Sequence, residues 1–343
     1  MSRHLAFGRT LRVAACLIAA LATGCGGGGD DIPPPPELLQ ITTGNELAVA
    51  RATAMNFFSL DSVRDLPAAR AASAPRASDA GLARHPLGKA LAATGRALPL
   101  GTISRTESCA ISGSIAVTLD DRDNNAVLSA GDVLTSVFND CRDSETASVS
   151  GSLVADIASY TSTAMSGLFT FNQLTLADTD GTIAMNGQAN LSYSSSGDAA
   201  GKWTTRAEMK VVSSLIIAID APVYKETFTY DADFSGLWND VADYSGWADP
   251  TPTAEPGYST SVLTGKFLAA SLGARTIVAT DPPVRDVWIE DAPQSGTVLI
   301  TGYQSKLRMT VLSTTTARLE LDANNDGTYE ATRDVPWSEL LPF

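Results

Sequence analysis

The chain has 343 residues, 44% of them hydrophobic, and a formal net charge of −14. That length can enclose one large core or two modest ones. So acidic a chain is a poor match for nucleic acid, which needs a positive field, and a better one for divalent cations.

In chain order, Arg3, Arg9 and Arg12 stand without acidic company before an apolar run from Val13 to Ala22. The run is about half the length that spans a bilayer, so residues 1–24 read as a cleaved signal peptide. Leu21, Ala22, Thr23, Gly24 and Cys25 follow. They resemble the lipobox of bacterial lipoproteins, with Ala22 where leucine is usual. The resemblance implies that Cys25 receives a diacylglyceryl group and becomes the mature N-terminus. Gly26, where inner-membrane lipoproteins carry aspartate, implies the cell outer membrane, with the lipid anchor as the membrane contact. Four glycines, two aspartates and four prolines then make residues 25–40 a solvated tether. Losing the leader arginines leaves the mature chain three charges more negative.

Residues 41–100 are alanine-rich and, unlike the residues that follow, carry more basic than acidic side chains. A short helix is expected first: Thr43 and Glu46 have capping-box spacing, and Leu47, Ala50, Ala54 and Phe57 recur at helical intervals. The opening "ITTGNELAVARATA" is similar to that of some uncharacterised Gram-negative lipoproteins. Beyond it, low complexity predicts a connector.

From residue 101 to 343 the hydrophobic period becomes two. Ile111, Ile115, Val117 and Leu119 alternate with small polar residues, and Ile183, Met185, Leu191 and Tyr193 do so before a Gly197–Gly201 turn. Trp203, Ala207, Met209 and Val211 return that pattern. Tyr224, Phe228, Tyr230, Phe234 and Trp238 form another set, and Leu307 to Leu321 repeats it around "STTT". Short Gly, Asp, Ser and Asn spacers favour hairpins, so the expected fold class is all-β, an antiparallel meander rolled or sandwiched to cover one face. With Cys16 lost and Cys25 lipidated, Cys109 and Cys141 remain to form a disulfide in an oxidising compartment. A first hairpin folded about Asn125 would oppose Val117 to Val133, Ile115 to Thr135 and Cys109 to Cys141.

The tip of that hairpin, "DRDNNAVLSAGD", places Asp121, Asp123, Asn125, Ser129 and Asp132 at positions one, three, five, nine and twelve of a calcium loop, with the Val127 carbonyl at seven. It resembles EF-hand and dockerin loops, although Ala126 replaces the turn glycine and Asp132 the bidentate glutamate. "DANNDGTYE" supplies Asp322, Asn324, Asp326, Gly327, the Thr328 carbonyl and Glu330. It resembles the D-x-D-x-D-G loops of exported bacterial proteins. Arg333 at its twelfth position argues against a helix-loop-helix hand. Asp and Asn also populate plain turns, which is the reading given to "DTDG" at 178–181.

His85 is the only histidine left after the leader, and it lies in the connector. A Ser-His-Asp triad or histidine-ligated zinc in the β region is thereby excluded. Asp231 and Asp233 read as a solvated edge, so the chain is expected not to be an enzyme. Trp238, Tyr244 and Trp247, running into a proline-rich loop, could stack on a ligand or cap the β core. The expectation is a calcium-stabilised, non-enzymatic envelope module that engages an envelope protein or glycan. The alternative is a carrier or sensor holding a small apolar or glycan ligand near the aromatic loop.

Overall fold

A computed structural model describes residues 37–64, 101–125, 127–179, 181–197, 202–243, 257–287 and 292–341. The signal peptide, Cys25, most of the tether, the connector, Tyr244 and Trp247 lie outside them. After helix α1 (Glu46–Arg64) come β1 (Thr102–Ser108), β2 (Ser112–Asp120), β3 (Val133–Arg142), β4 (Ser148–Tyr160), β5 (Ala164–Ala177) and β6 (Thr182–Gly197). Next are β7 (Lys202–Asp220), β8 (Lys225–Asp231), β9 (Ser235–Asp243), β10 (Tyr258–Ala269), β11 (Arg275–Thr280) and β12 (Val284–Val287). The chain closes with β13 (Thr297–Gly302), β14 (Ser305–Ser313), β15 (Thr316–Asp322), β16 (Ala331–Pro336) and a one-turn helix, α2 (Trp337–Leu340).

All sixteen strands belong to one antiparallel sheet whose spatial order follows the chain. The all-β meander expected from the period of two is therefore the fold. Against β7, β8 and β9 behave as one interrupted strand: Ser214 pairs with Asp231 and Lys210 with Ser235, in the same register across Ala232–Phe234. Both halves also pair with β10.

The first hairpin departs from the expected register. Ile115 opposes Phe138, Val117 opposes Ser136 and Leu119 opposes Leu134. Leu134, Ser136 and Phe138 thus face the core, where Val133 and Thr135 were expected. The turn is the whole acidic loop, and its length sets the pairing. The disulfide still forms, with Cα atoms 5.4 Å apart, by another route. Cys109 sits in the β1–β2 turn, and Asp140, at φ 44°, inserts an extra residue that brings Cys141 onto the buried face.

That bulge belongs to a repeated device. A Cβ on Gly113 would lie 2.0 Å from the Asp140 carbonyl oxygen, and one on Gly151 2.1 Å from that of Gln173, itself at φ 49°. Each glycine lets the neighbouring strand bulge towards it, and such bulges bend a sheet.

Helix α1 is not the one-sided amphipathic helix its spacing suggests. Val49, Ala50, Ala52, Thr53, Ala54, Met55, Asn56, Ser59 and Leu60 are all buried, which spreads the covered surface around the helix. It packs against β7, β10, β14, β15 and α2 within the compact unit Pro36–Phe343. Instead of closing the expected Thr43–Glu46 capping box, Glu46 lies 3.7 Å from Arg333, and Asn45 ties down the turn before the helix: its Oδ1 accepts from the Thr42 amide at 2.8 Å, and its Nδ2 donates to the Gln40 carbonyl at 3.0 Å. The Tyr230 hydroxyl donates to Asn56 Oδ1 at 2.7 Å and lies 2.9 Å from Ser59 Oγ, joining helix to sheet inside the core. Burial raises the Tyr230 phenol far above its ordinary pKa, so it stays protonated. Phe228, Phe234 and Phe267 complete an aromatic cluster around it, with ring centroids 4.6–6.5 Å apart.

Candidate metal centres

The two acidic segments form the connections β2–β3 and β15–β16. In both, the sequence favours a tightly wound loop because short Asp and Asn side chains fold back onto backbone amides. In the first, Asp121 Oδ1 and Asp123 Oδ1 each accept from the Asn125 amide at 3.1 Å, and Asn125 Oδ1 accepts from the Val127 amide at 2.8 Å. In the second, Asp322 Oδ1 and Asn324 Oδ1 accept from the Asp326 amide at 3.1 and 2.9 Å, and Asp326 Oδ1 accepts from the Thr328 amide at 2.8 Å. Positions one, three, five and seven therefore carry the same hydrogen bonds in both loops. Position four has positive φ in each, 56° at Asn124 and 59° at Asn325.

The carboxylates converge. One oxygen each from Asp121, Asp123 and Asp132 lies within 4.8 Å of the others, and the same holds for Asp322, Asp326 and Glu330. Asp121, Asp132 and Asp322 are almost wholly buried. Asp132 is held by the Arg122 amide at 3.0 Å, the Ser129 amide at 2.7 Å and the Ser129 hydroxyl at 3.1 Å. Asp322 Oδ2 also accepts from the Gly327 amide at 3.0 Å, and Glu330 from the Ala323 amide at 2.8 Å. Desolvation works against charge on Asp123, but hydrogen bonds from Ser129 and the Asn125 amide outweigh it and hold the carboxyl below its ordinary pKa. The Thr328 amide does the same for Asp326. Like charges brought this close repel, and a hard cation with six to eight oxygen ligands relieves such repulsion.

The donor sets fit such a cation. Asp121, Asp123, Asn125, Asp132 and the Val127 carbonyl would supply the first loop; Asp322, Asn324, Asp326, Glu330 and the Thr328 carbonyl the second. Gly327, at φ 89° with open space around it, gives the second loop the turn its sequence promised. Ala126, at the corresponding position, lies outside the described residues. Arg333 reaches away from the loop, 3.7 Å from Glu46 and 3.6 Å from Glu339, and supplies no ligand. Cys109, Cys141 and Asp143 also converge, but the sulfurs are spent in the disulfide.

Trp238 is 1% exposed, on the core face of β9, with its indole packed over Gly236. It offers no exposed stacking face. A feature invisible in the sequence lies on the opposite face, where a groove of about 680 Å³ crosses β4 to β10. Leu168, Asn190, Lys210, Ser235 and Thr264 form one cross-strand row along it. Only the pairing register brings them together. No described helix is long and apolar enough to cross a membrane. No protein-family model, curated protein or solved structure matches this chain.

Proposed function

We propose that the chain is a lipid-anchored protein of the bacterial outer membrane, tethered through Cys25, and that its β meander is a non-enzymatic structural or interaction module stabilised by calcium at two hairpin tips. The observation carrying the calcium reading is the shared hydrogen-bond pattern of two loops far apart in sequence, each drawing three carboxylates together. The anchor rests on the resemblance of residues 21–25 to a lipobox. A carrier or sensor of a small glycan or apolar ligand is the second reading, favoured by the size of the groove across β4 to β10.

Thermal unfolding in calcium and in chelator tests the reading. Calcium at tenfold its dissociation constant adds about 1.4 kcal/mol per site, and exported modules bind at roughly 10⁻⁴ to 10⁻³ M. Asp326→Ala is expected to abolish most of the gain, and Asp123→Ala less of it, because its loop lacks the turn glycine. Magnesium should substitute poorly, since it demands stricter octahedral geometry. Identical melting curves in millimolar calcium and chelator would mean that both loops are ordinary turns.

A further inference from the structure

The sheet has two ends, and the chain treats them differently. At β16, Pro336 has no amide to offer, and Arg333 is engaged by Glu46 of α1 and Glu339 of α2. At β1, among the described residues, no strand pairs with the outer edge. The strand contains neither Gly nor Pro, and every side chain on it is exposed or half-exposed.

Its free groups can be assigned. The Cys109 amide donates to the Gly113 carbonyl at 3.1 Å, in line with the β1–β2 register. Antiparallel alternation then directs the backbone groups of Ile103, Arg105 and Glu107 towards β2. Those of Thr102, Ser104, Thr106 and Ser108 point outward. Arg105 and Glu107 share the face of the strand that continues the core side of β2, their side chains 2.8 Å apart, beside Val117 and Ile115.

Charges on an edge strand usually block pairing. Here the pattern is self-complementary in one register. If two β1 strands meet antiparallel with Arg105 opposite Arg105, like charges collide. If they meet at Thr106, each Arg105 faces Glu107 of the other copy, and Ser104 faces Ser108. The outward amides and carbonyls of Ser104, Thr106 and Ser108 then close the ladder, while the charged pairs occupy the non-hydrogen-bonded sites, about 4.5 Å apart at Cα, where cross-strand side chains are closest. We propose that β1 pairs with β1 of a second copy of this chain about a two-fold axis through Thr106, with reciprocal Arg105–Glu107 contacts selecting the register. An interface resting on one short strand is small, so the dimer is weak and depends on concentration.

Sedimentation of the full-length chain in detergent, from about 1 to 200 micromolar, tests this. The wild type should pass from monomer to dimer across that range. Arg105→Glu and Glu107→Arg each place like charges opposite one another and should weaken dimerisation by at least about tenfold. The double variant R105E/E107R reverses both signs and should restore it. Because these side chains are half-exposed, unchanged thermal unfolding of each variant verifies folding. A wild type that stays monomeric throughout, as it would if another part of the chain covers this edge, overturns the proposal. So do single variants that dimerise like the wild type, or a double variant that does not recover.

Discussion

Gly113 and Gly273 have nearly the same φ, 78° and 72°, but different surroundings. Gly273 closes a 3₁₀ turn with no atom within 4 Å of where a Cβ would stand; at Gly113 that Cβ meets the Asp140 carbonyl at 2.0 Å and the Asn139 carbonyl at 2.4 Å. Alanine at Gly273 pays only for a left-handed L-residue, about 1 to 2 kcal/mol. Alanine at Gly113 adds an overlap with backbone, which no rotamer change relieves. The Cys109–Cys141 disulfide ties the same two segments together, so β2 and β3 cannot simply part. Overpacking of this kind adds roughly 1 to 3 kcal/mol and brings the total to about 2 to 5. In a domain this large, thermal midpoints should fall by about 2 to 8 °C for Gly273→Ala and about 4 to 20 °C for Gly113→Ala. Urea unfolding of both variants, disulfide intact, gives the free-energy difference. Equal losses would refute the claim that the Asp140 bulge depends on close backbone approach at Gly113.

Two further predictions concern charge and anchoring. Arg308 lowers the pKa of Glu320 and Arg318 that of Asp334, as backbone and side-chain hydrogen bonds lower those of Asp326 and Asp123. The native state therefore binds fewer protons than the unfolded chain in mild acid; its contribution is complete above the ordinary carboxylate pKa of about 4 and is lost as pH falls through the lower native values. The urea midpoint should drop between about pH 5 and pH 2.5, less steeply in Glu320→Gln; a flat profile contradicts the linkage. Cys25→Ala should move the protein from the membrane to the soluble fraction, and a variant that still sediments with membranes rules out a thioether-linked lipid as its anchor.

The meander was legible because inward and outward residues alternate so regularly: Ile115, Val117 and Leu119 in β2, and Leu307 and Met309 in β14, are buried as the pattern requires. Register was not. Alternation fixes which residues share a face, but an extra residue such as Asp140 reverses the parity without altering composition. The environment of α1 was not legible for a related reason. Its small and weakly polar residues Ala52, Thr53, Asn56 and Ser59 resemble a solvated face, and only the surrounding strands, together with the Tyr230 hydroxyl, make them interior. The acidic loops could be located from spacing alone, whereas the convergence of Asp132 and Glu330 on them depends on hairpin closure.

Helix α1 is made first and completed last. Each strand from β1 to β16 finds its neighbour within a short stretch of chain, so the sheet can zip forward by local steps as the polypeptide emerges. The helix has no such neighbour: its packing partners include β7, β10, β14 and β15, and Glu46 meets Arg333 in the final strand. A lone nineteen-residue helix of this composition is marginal in water. It must wait in a partly formed state until β14, β15 and β16 are in place. Loss of the β15–β16 hairpin would therefore be felt far away in sequence, as an unseated α1 and an open core.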